Sequence, residues 1–180
     1  MTKPLIILAA SLTLLVNQIC VAETPEKSVA AEERPINVSY SDVLAQAVKQ
    51  PNLTLSYGEN QFQFGQLWFA SNQPEGPGKP LVVFIHGGCW INAFDIKHSY
   101  ALTSAIAARG FDVWSLEYRR TGDEGGGWPS SLDDVLAGIR FIQSYKDDRV
   151  DASKIIISGH SAGGHLALMA GSKLPNEKIK

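Results

Sequence analysis

Apolar positions along this chain follow three rhythms. Continuous apolar runs at Leu81-Val82-Val83-Phe84-Ile85 and Ile155-Ile156-Ile157 are short and uninterrupted, as expected of strands covered on both faces, and Asp112 to Leu116 is a further predicted strand. Helical spacing appears over 97–109, where Ala101, Leu102, Ala105, Ile106 and Ala108 predict an apolar stripe that stops at Gly110, a C-terminal cap. It recurs after Pro129, which suits a first helical turn, with Leu132, Val135, Leu136, Ile139 and Ile142 as the apolar face and Asp133 and Asp134 near the positive end of the helix dipole. Leu166 to Ala170 continues the last apolar run as good helix formers. Alternating segments over Leu53 to Tyr57 and Phe62 to Phe69 predict the first strands, preceded by a short helix within Pro35 to Lys49 that carries Val43, Leu44, Ala47 and Val48. A Pro/Gly-rich loop, Pro74 to Pro80, leads into the Leu81 strand. Strands alternating with helices predict an α/β fold with a mostly parallel, doubly wound sheet, whose site lies at the carboxyl ends of its strands.

The amino terminus does not belong to that pattern. Residues 1–22 hold one lysine, an apolar run from Leu5 to Val16, and then Cys20-Val21-Ala22, which reads as a cleavable secretory signal and predicts a periplasmic or secreted protein with no stable membrane anchor after cleavage. Residues 23–35 are polar and carry Pro and Glu, as a flexible linker would, so residues 36–180 form the one folded domain. Of the 180 residues, 44% are hydrophobic, enough for an ordinary core. Without the signal there are 15 basic and 18 acidic residues, a formal charge of −3 that gives no reason to expect nucleic acid. Cys89 is then the single cysteine, a small apolar filler or a reactive thiol. Asn37-Val38-Ser39 and Asn52-Leu53-Thr54 match glycosylation acceptors, relevant only in a eukaryotic secretory pathway. No repeat, CxxC pair, phosphate-binding glycine loop or metal-ligand cluster stands out.

Candidate chemistry sits where two of the apolar strands end. Ile155 to Ile157 run into Gly159-His160-Ser161-Ala162-Gly163, a nucleophile elbow in which a sharp strand-to-helix turn holds the central residue in strained geometry and the flanking glycines remove clashing side chains. The Leu81 strand ends in His86-Gly87-Gly88-Cys89-Trp90. Backbone N–H groups of Gly87 and Gly88, together with that of Ala162 at a helix N-terminus, are the expected oxyanion hole. Trp90, Tyr118 and Trp128 come from three loops or strand ends on the same face and are candidates for a substrate pocket, with simple packing as the alternative. Arg119 and Arg120 could hold a substrate carboxylate, although pairing with Glu117, Asp123 or Glu124 explains them as well. Gly125-Gly126-Gly127 reads as a flexible loop near the site.

On these motifs, together with Glu117-Tyr118-Arg119-Arg120 and Gly127-Trp128-Pro129, residues 60–173 resemble the α/β-hydrolase superfamily, most closely its esterase and arylformamidase-like branch. Feruloyl and acetyl xylan esterase-like proteins are similar. The resemblance implies an acyl-enzyme mechanism on Ser161 with neither a metal nor an organic cofactor, acting on a small-molecule ester, an acylated saccharide or an aryl amide, with arylformamidase or exopeptidase as variants. It also implies that the triad acid and base follow the serine. Only 19 residues do so, with His165 the sole histidine and Glu177 the sole acid among them. His165 is a weak candidate base, expected to run down the helix and pack beneath the elbow. His160 is expected to point away from Ser161, His86 to brace the glycine loop, and His98 to carry no function. The chain therefore reads as the amino-terminal half of a longer hydrolase, with Ile155 to Ile157 left as an apolar edge; a noncatalytic binding protein of the same fold is the alternative.

Overall fold

A computed structural model describes residues 38–71 and 80–174. The expected signal (1–22), linker (23–35), the Asn37 side of the first glycosylation motif and most of the Pro74 to Pro80 loop lie outside the described residues. The described chain forms helix α1 (Tyr40–Leu44), strands β1 (Leu53–Ser56), β2 (Phe64–Trp68) and β3 (Leu81–Ile85), and a 3-10 turn (Ile96–Ser99) that leads into α2 (Tyr100–Ala108). Strand β4 (Val113–Leu116), α3 (Ser130–Ser144), β5 (Ile155–Gly159) and α4 (Ala162–Lys173) complete it.

The strand order is β1-β2-β4-β3-β5. Strands β4, β3 and β5 are parallel, with β3 central among them, whereas β1 and β2 form an antiparallel hairpin whose second strand joins β4 antiparallel. Alternation along β3 divides the core. Leu81, Val83 and Ile85 join Leu132, Val135, Ile139 and Leu166 on the α3/α4 side, while Val82 and Phe84 pack with Ala107 and Trp68 on the α2 side. Every residue of β3 is buried, because helices cover both faces of the parallel part; β1, with one face open, alternates between half-buried and exposed. Strand β5 lies at the edge of the described sheet, and Leu168 on α4 beside it is 79% exposed.

Three local expectations change. Helix α2 buries Thr103 and Ala107, not the predicted stripe, and Leu102 is exposed. The preceding 3-10 turn resets the helical phase, and Thr103 is accommodated because its hydroxyl donates back to the Ser99 carbonyl at 3.1 Å. Gly110 does take the left-handed conformation of a C-terminal cap, at φ +85°. Helix α1 ends at Leu44, before Ala47 and Val48. On α3, Asp134 is 1% exposed and accepts from the Arg119 side chain at 2.8 and 2.7 Å, the Arg119 N–H at 3.0 Å and Gln63 Nε2 at 2.7 Å. That carboxylate ties the helix start to the end of β4 and to the β1–β2 hairpin, so its partner is a half-buried guanidinium fork and not the helix dipole alone.

Candidate active site

The end of β5 turns into α4 through Ser161, which stands at φ 53° and ψ −120° and is exposed. A non-glycine residue there carries backbone strain of about 1–3 kcal/mol, which the surroundings must hold. They do so by close approach. A Cβ on Gly163 would lie 2.1 Å from the Ile85 carbonyl oxygen, and one on Gly159 would lie 2.3 Å from the Gly163 carbonyl oxygen. Glycine at both positions lets the elbow fold on itself and dock onto the end of β3, where the His160 N–H donates to the Ile85 oxygen at 3.2 Å. Gly163→Ala is therefore expected to lower the thermal midpoint by roughly 10 °C or more, as a backbone clash worth several kcal/mol would in a domain of this size. An unchanged melting curve would contradict the packing described.

The glycine loop after β3 meets the elbow directly. A Cβ on Gly87 would fall 2.7 Å from the His160 oxygen, 3.0 Å from the His160 Nδ1 and 3.2 Å from the Ser161 Cβ. Two motifs 75 positions apart in the chain are thus brought together. Gly88, Cys89 and Trp90 follow with φ of 115°, 53° and 58°. Among the described residues, the N–H groups of Gly87, Gly88 and Ala162 donate to no protein acceptor, which leaves them available to an oxygen placed between loop and elbow. The Ile91 N–H to Gly88 oxygen bond and the pairing of Thr121 with Trp90 and Asn92 close the loop on its outer side.

His86 supports the loop from beneath. It is fully buried, stacks on Tyr118 at 4.6 Å, and has Nδ1 2.8 Å from the Gly87 oxygen and Nε2 2.8 Å from Glu117 Oε1. Glu117 also accepts from the N–H groups of Ile96 at 2.9 Å and Tyr118 at 3.0 Å, with Arg120 3.5 Å away. Burial acts to raise the Glu117 carboxyl, but the hydrogen bond and charge of His86, the Arg120 charge and the Ile96 N–H outweigh it and hold the group below its ordinary value. Among the described residues this is the one close histidine–carboxylate contact. It is poorly placed to accept a proton from Ser161, since both ring nitrogens already face other partners and the ring is sealed from solvent.

Beside the loop lies a cavity of about 320 Å³ lined by Cys89, Trp90, Thr121, Trp128, His165 and neighbours. Trp90 and Trp128 are on its wall. Tyr118 is not: it is 0% exposed, and its hydroxyl donates to the His86 carbonyl at 2.9 Å, so the aromatic residue at the end of β4 belongs to the loop's support. His165 is also displaced from expectation. It is exposed, one turn past the elbow, with its ring edge-on to Trp90 at 5.6 Å on the cavity wall and not beneath the turn. Cys89 is exposed at the cavity mouth and not an apolar filler. Arg120 is buried with Asp123 at 3.2 Å and Glu117, and the half-buried Arg119 is held by two hydrogen bonds to Asp134, so both guanidiniums are engaged with carboxylates of the chain itself. The glycine run is an ordered turn, with a Cβ on Gly126 falling 2.1 Å from the Arg120 oxygen. Sequence reasoning missed the partnership of His86 with Glu117, although both flank motifs it singled out. Among the described residues no group of three or more His, Cys, Asp or Glu side chains could hold a metal ion.

A mixed sheet with a parallel part covered by helices on both faces, a strained serine between β5 and α4, and a glycine loop pressed against it define an α/β-hydrolase. Residues 69–180 match the BD-FAE family model, and the chain belongs to that family. Similar proteins are esterases. The chain is 32% identical over 116 residues to esterase LipC of Mycobacterium tuberculosis, aligning 64% of this chain with 28% of LipC. It is 33% identical over 94 residues to carboxylesterase NlhH of the same species, with 51% of this chain against 28% of NlhH. In structure it resembles esterase B of Lactobacillus rhamnosis with a TM-score of 0.61 and 22% identity, over 73% of this chain and 43% of the esterase, a likeness of fold. The chain thus spans less than half the length of these relatives.

Proposed function

We propose that the protein carrying this chain is a serine ester hydrolase that works through an acyl-enzyme on Ser161. The observation that supports it best is the apposition of exposed, strained Ser161 to a loop with unspent N–H donors at Gly87 and Gly88. In this reading the Ser161 Oγ attacks the acyl carbon and passes its proton to a base, while the carbonyl oxygen gains negative charge between the N–H groups of Gly87, Gly88 and Ala162. The alkoxide leaves as the alcohol on receiving that proton, and water then releases the acid from Ser161. We assign the base and its orienting carboxylate to a part of the protein outside the described residues, as the α/β-hydrolase order implies and as the prior engagement of both His86 ring nitrogens supports. The export signal read in residues 1–22 makes the working place the periplasm or the medium, which favours a small ester or acylated saccharide over a cytosolic formamide.

A fluorophosphonate probe tests this directly on the full-length protein. It should form one adduct that maps to Ser161; a folded protein that forms none would instead be a noncatalytic binding protein of this fold. The cavity beside the loop is the proposed seat of the apolar part of the substrate. Trp128 is 67% exposed there and would be covered by it. Trp128→Ala should raise KM for an aryl or long-chain ester about tenfold while leaving an acetyl ester nearly unaffected, in keeping with the burial of one aromatic face. Equal changes for both substrates would remove Trp128 from the pocket.

A further inference from the structure

The glycine loop holds three successive residues at positive φ, so something must keep it in place from the side as well as from beneath. Phe94 does this at Gly88, where a Cβ would fall 2.6 Å from the Phe94 Cβ. His98 does it at His86, edge-on with ring centres 5.5 Å apart. Both of these rings are covered by one residue from far upstream. The Tyr40 ring stands edge-on to Phe94 at 5.2 Å and tilted over His98 at 5.9 Å. Phe94 and His98 also touch each other, with centres 6.5 Å apart, so the four rings form a continuous layer from α1 to the glycine loop. Tyr40 opens α1 directly after its cap. Ser39 accepts from the Asp42 N–H at 3.2 Å while Asp42 accepts from the Ser39 N–H at 3.2 Å, which fixes the direction in which Tyr40 enters. None of α1 falls within residues 69–180, so this contact is supplied by sequence outside the match to the family.

We propose that Tyr40 is a positioning residue for the oxyanion loop: through Phe94 and His98 it presses the backbone of His86 to Gly88 against the Ser161 elbow. The inference rests on the serine hydrolase reading given above. Its physical content is that hydrogen bonds to a developing oxyanion depend steeply on donor placement, so a loop that relaxes loses rate and not ground-state binding. Tyr40 is 40% exposed and sits on a short helix with no buried residue, so removal of its ring should shift the loop before it threatens the fold.

The full-length protein is compared as wild type, Tyr40→Leu and Tyr40→Phe in ester hydrolysis, thermal unfolding and amide hydrogen exchange over residues 86–91. Tyr40→Leu should lower kcat about tenfold with KM within about twofold, less than the loss of a whole oxyanion donor. It should also speed exchange of the loop amides and leave the melting midpoint nearly unchanged. Tyr40→Phe, which keeps the ring, should restore both kcat and exchange. Wild-type kcat and exchange in Tyr40→Leu would overturn the proposal, as would a kcat loss with unchanged loop exchange, or one matched by an equal loss of folded protein. If the wild type hydrolyses no ester, the serine hydrolase reading fails, and the exchange comparison still decides whether Tyr40 holds the loop.

Discussion

Ser161→Ala should abolish ester hydrolysis by the full-length protein, with a loss in kcat on the order of 10⁶-fold and no phosphonate adduct, while the fold persists. The size of the effect follows from chemistry. An acyl-enzyme needs an oxygen nucleophile at this point, and alanine retains the turn, the glycine loop and the free N–H groups but offers nothing to attack with. Stability should move by no more than about 0.5 kcal/mol, because Ser161 is exposed, its side chain makes no cap bond to α4, and alanine bears the same positive φ. Steady-state rates on a chromogenic ester, with circular dichroism as the check on folding, read both quantities. Residual turnover within tenfold of wild type would transfer the reaction to another group and end the acyl-enzyme account.

The second large effect is on stability. Glu117→Leu should cost about 3–5 kcal/mol in urea unfolding, since it strands His86 Nε2, two backbone N–H groups and the buried Arg120 without their shared acceptor. The carboxyl of Glu117 is held below its ordinary value of 4.5, so the folded state binds this proton less readily than the unfolded chain. Its contribution is complete above that value and is lost as the pH falls from there through the lower folded value. Glu117→Gln, which keeps the shape without the charge, should therefore flatten the acid limb of the stability curve measured below about pH 5. Parallel acid limbs in wild type and Glu117→Gln would show that the pair with His86 is not what the acid disrupts.

Much of the fold was legible because periodicity reports burial. The uninterrupted Leu81 to Ile85 run is the central strand with both faces covered, and the alternating Leu53 to Tyr57 run is the half-open edge hairpin. The stripe on α3 was readable for the same reason, as Leu132, Val135, Ile139 and Ile142 are all in the core. On α2 the rule misled. Its residues are mostly alanines, with Thr103 and Ser104 interrupting the apolar stripe, so the sequence holds little directional signal, and the 3-10 turn before it sets which side faces inward. Polar partners were least legible. The sequence offers Glu117, Asp123 or Glu124 as partners for Arg119 or Arg120, but Asp134 reaches Arg119 from near the start of α3 and satisfies the guanidinium and backbone together. Tyr118, at a strand end beside the site, leaves substrate pocket and simple packing equally open in the sequence, because strand ends face two ways, and this one faces the support beneath the loop.

By itself the sequence determined the two glycine-bearing turns and the serine between Gly159 and Gly163. Those positions are dictated by local geometry: only glycine allows carbonyl oxygens as near as 2.1 and 2.3 Å to the position of its missing Cβ, and such constraints are written residue by residue. The tertiary structure alone decided what holds those turns together. Gly87 against Ser161, Glu117 beneath His86, Asp134 on Arg119 and Tyr40 over Phe94 and His98 are contacts between distant segments, set by strand order and helix placement, and no spacing along the chain encodes them.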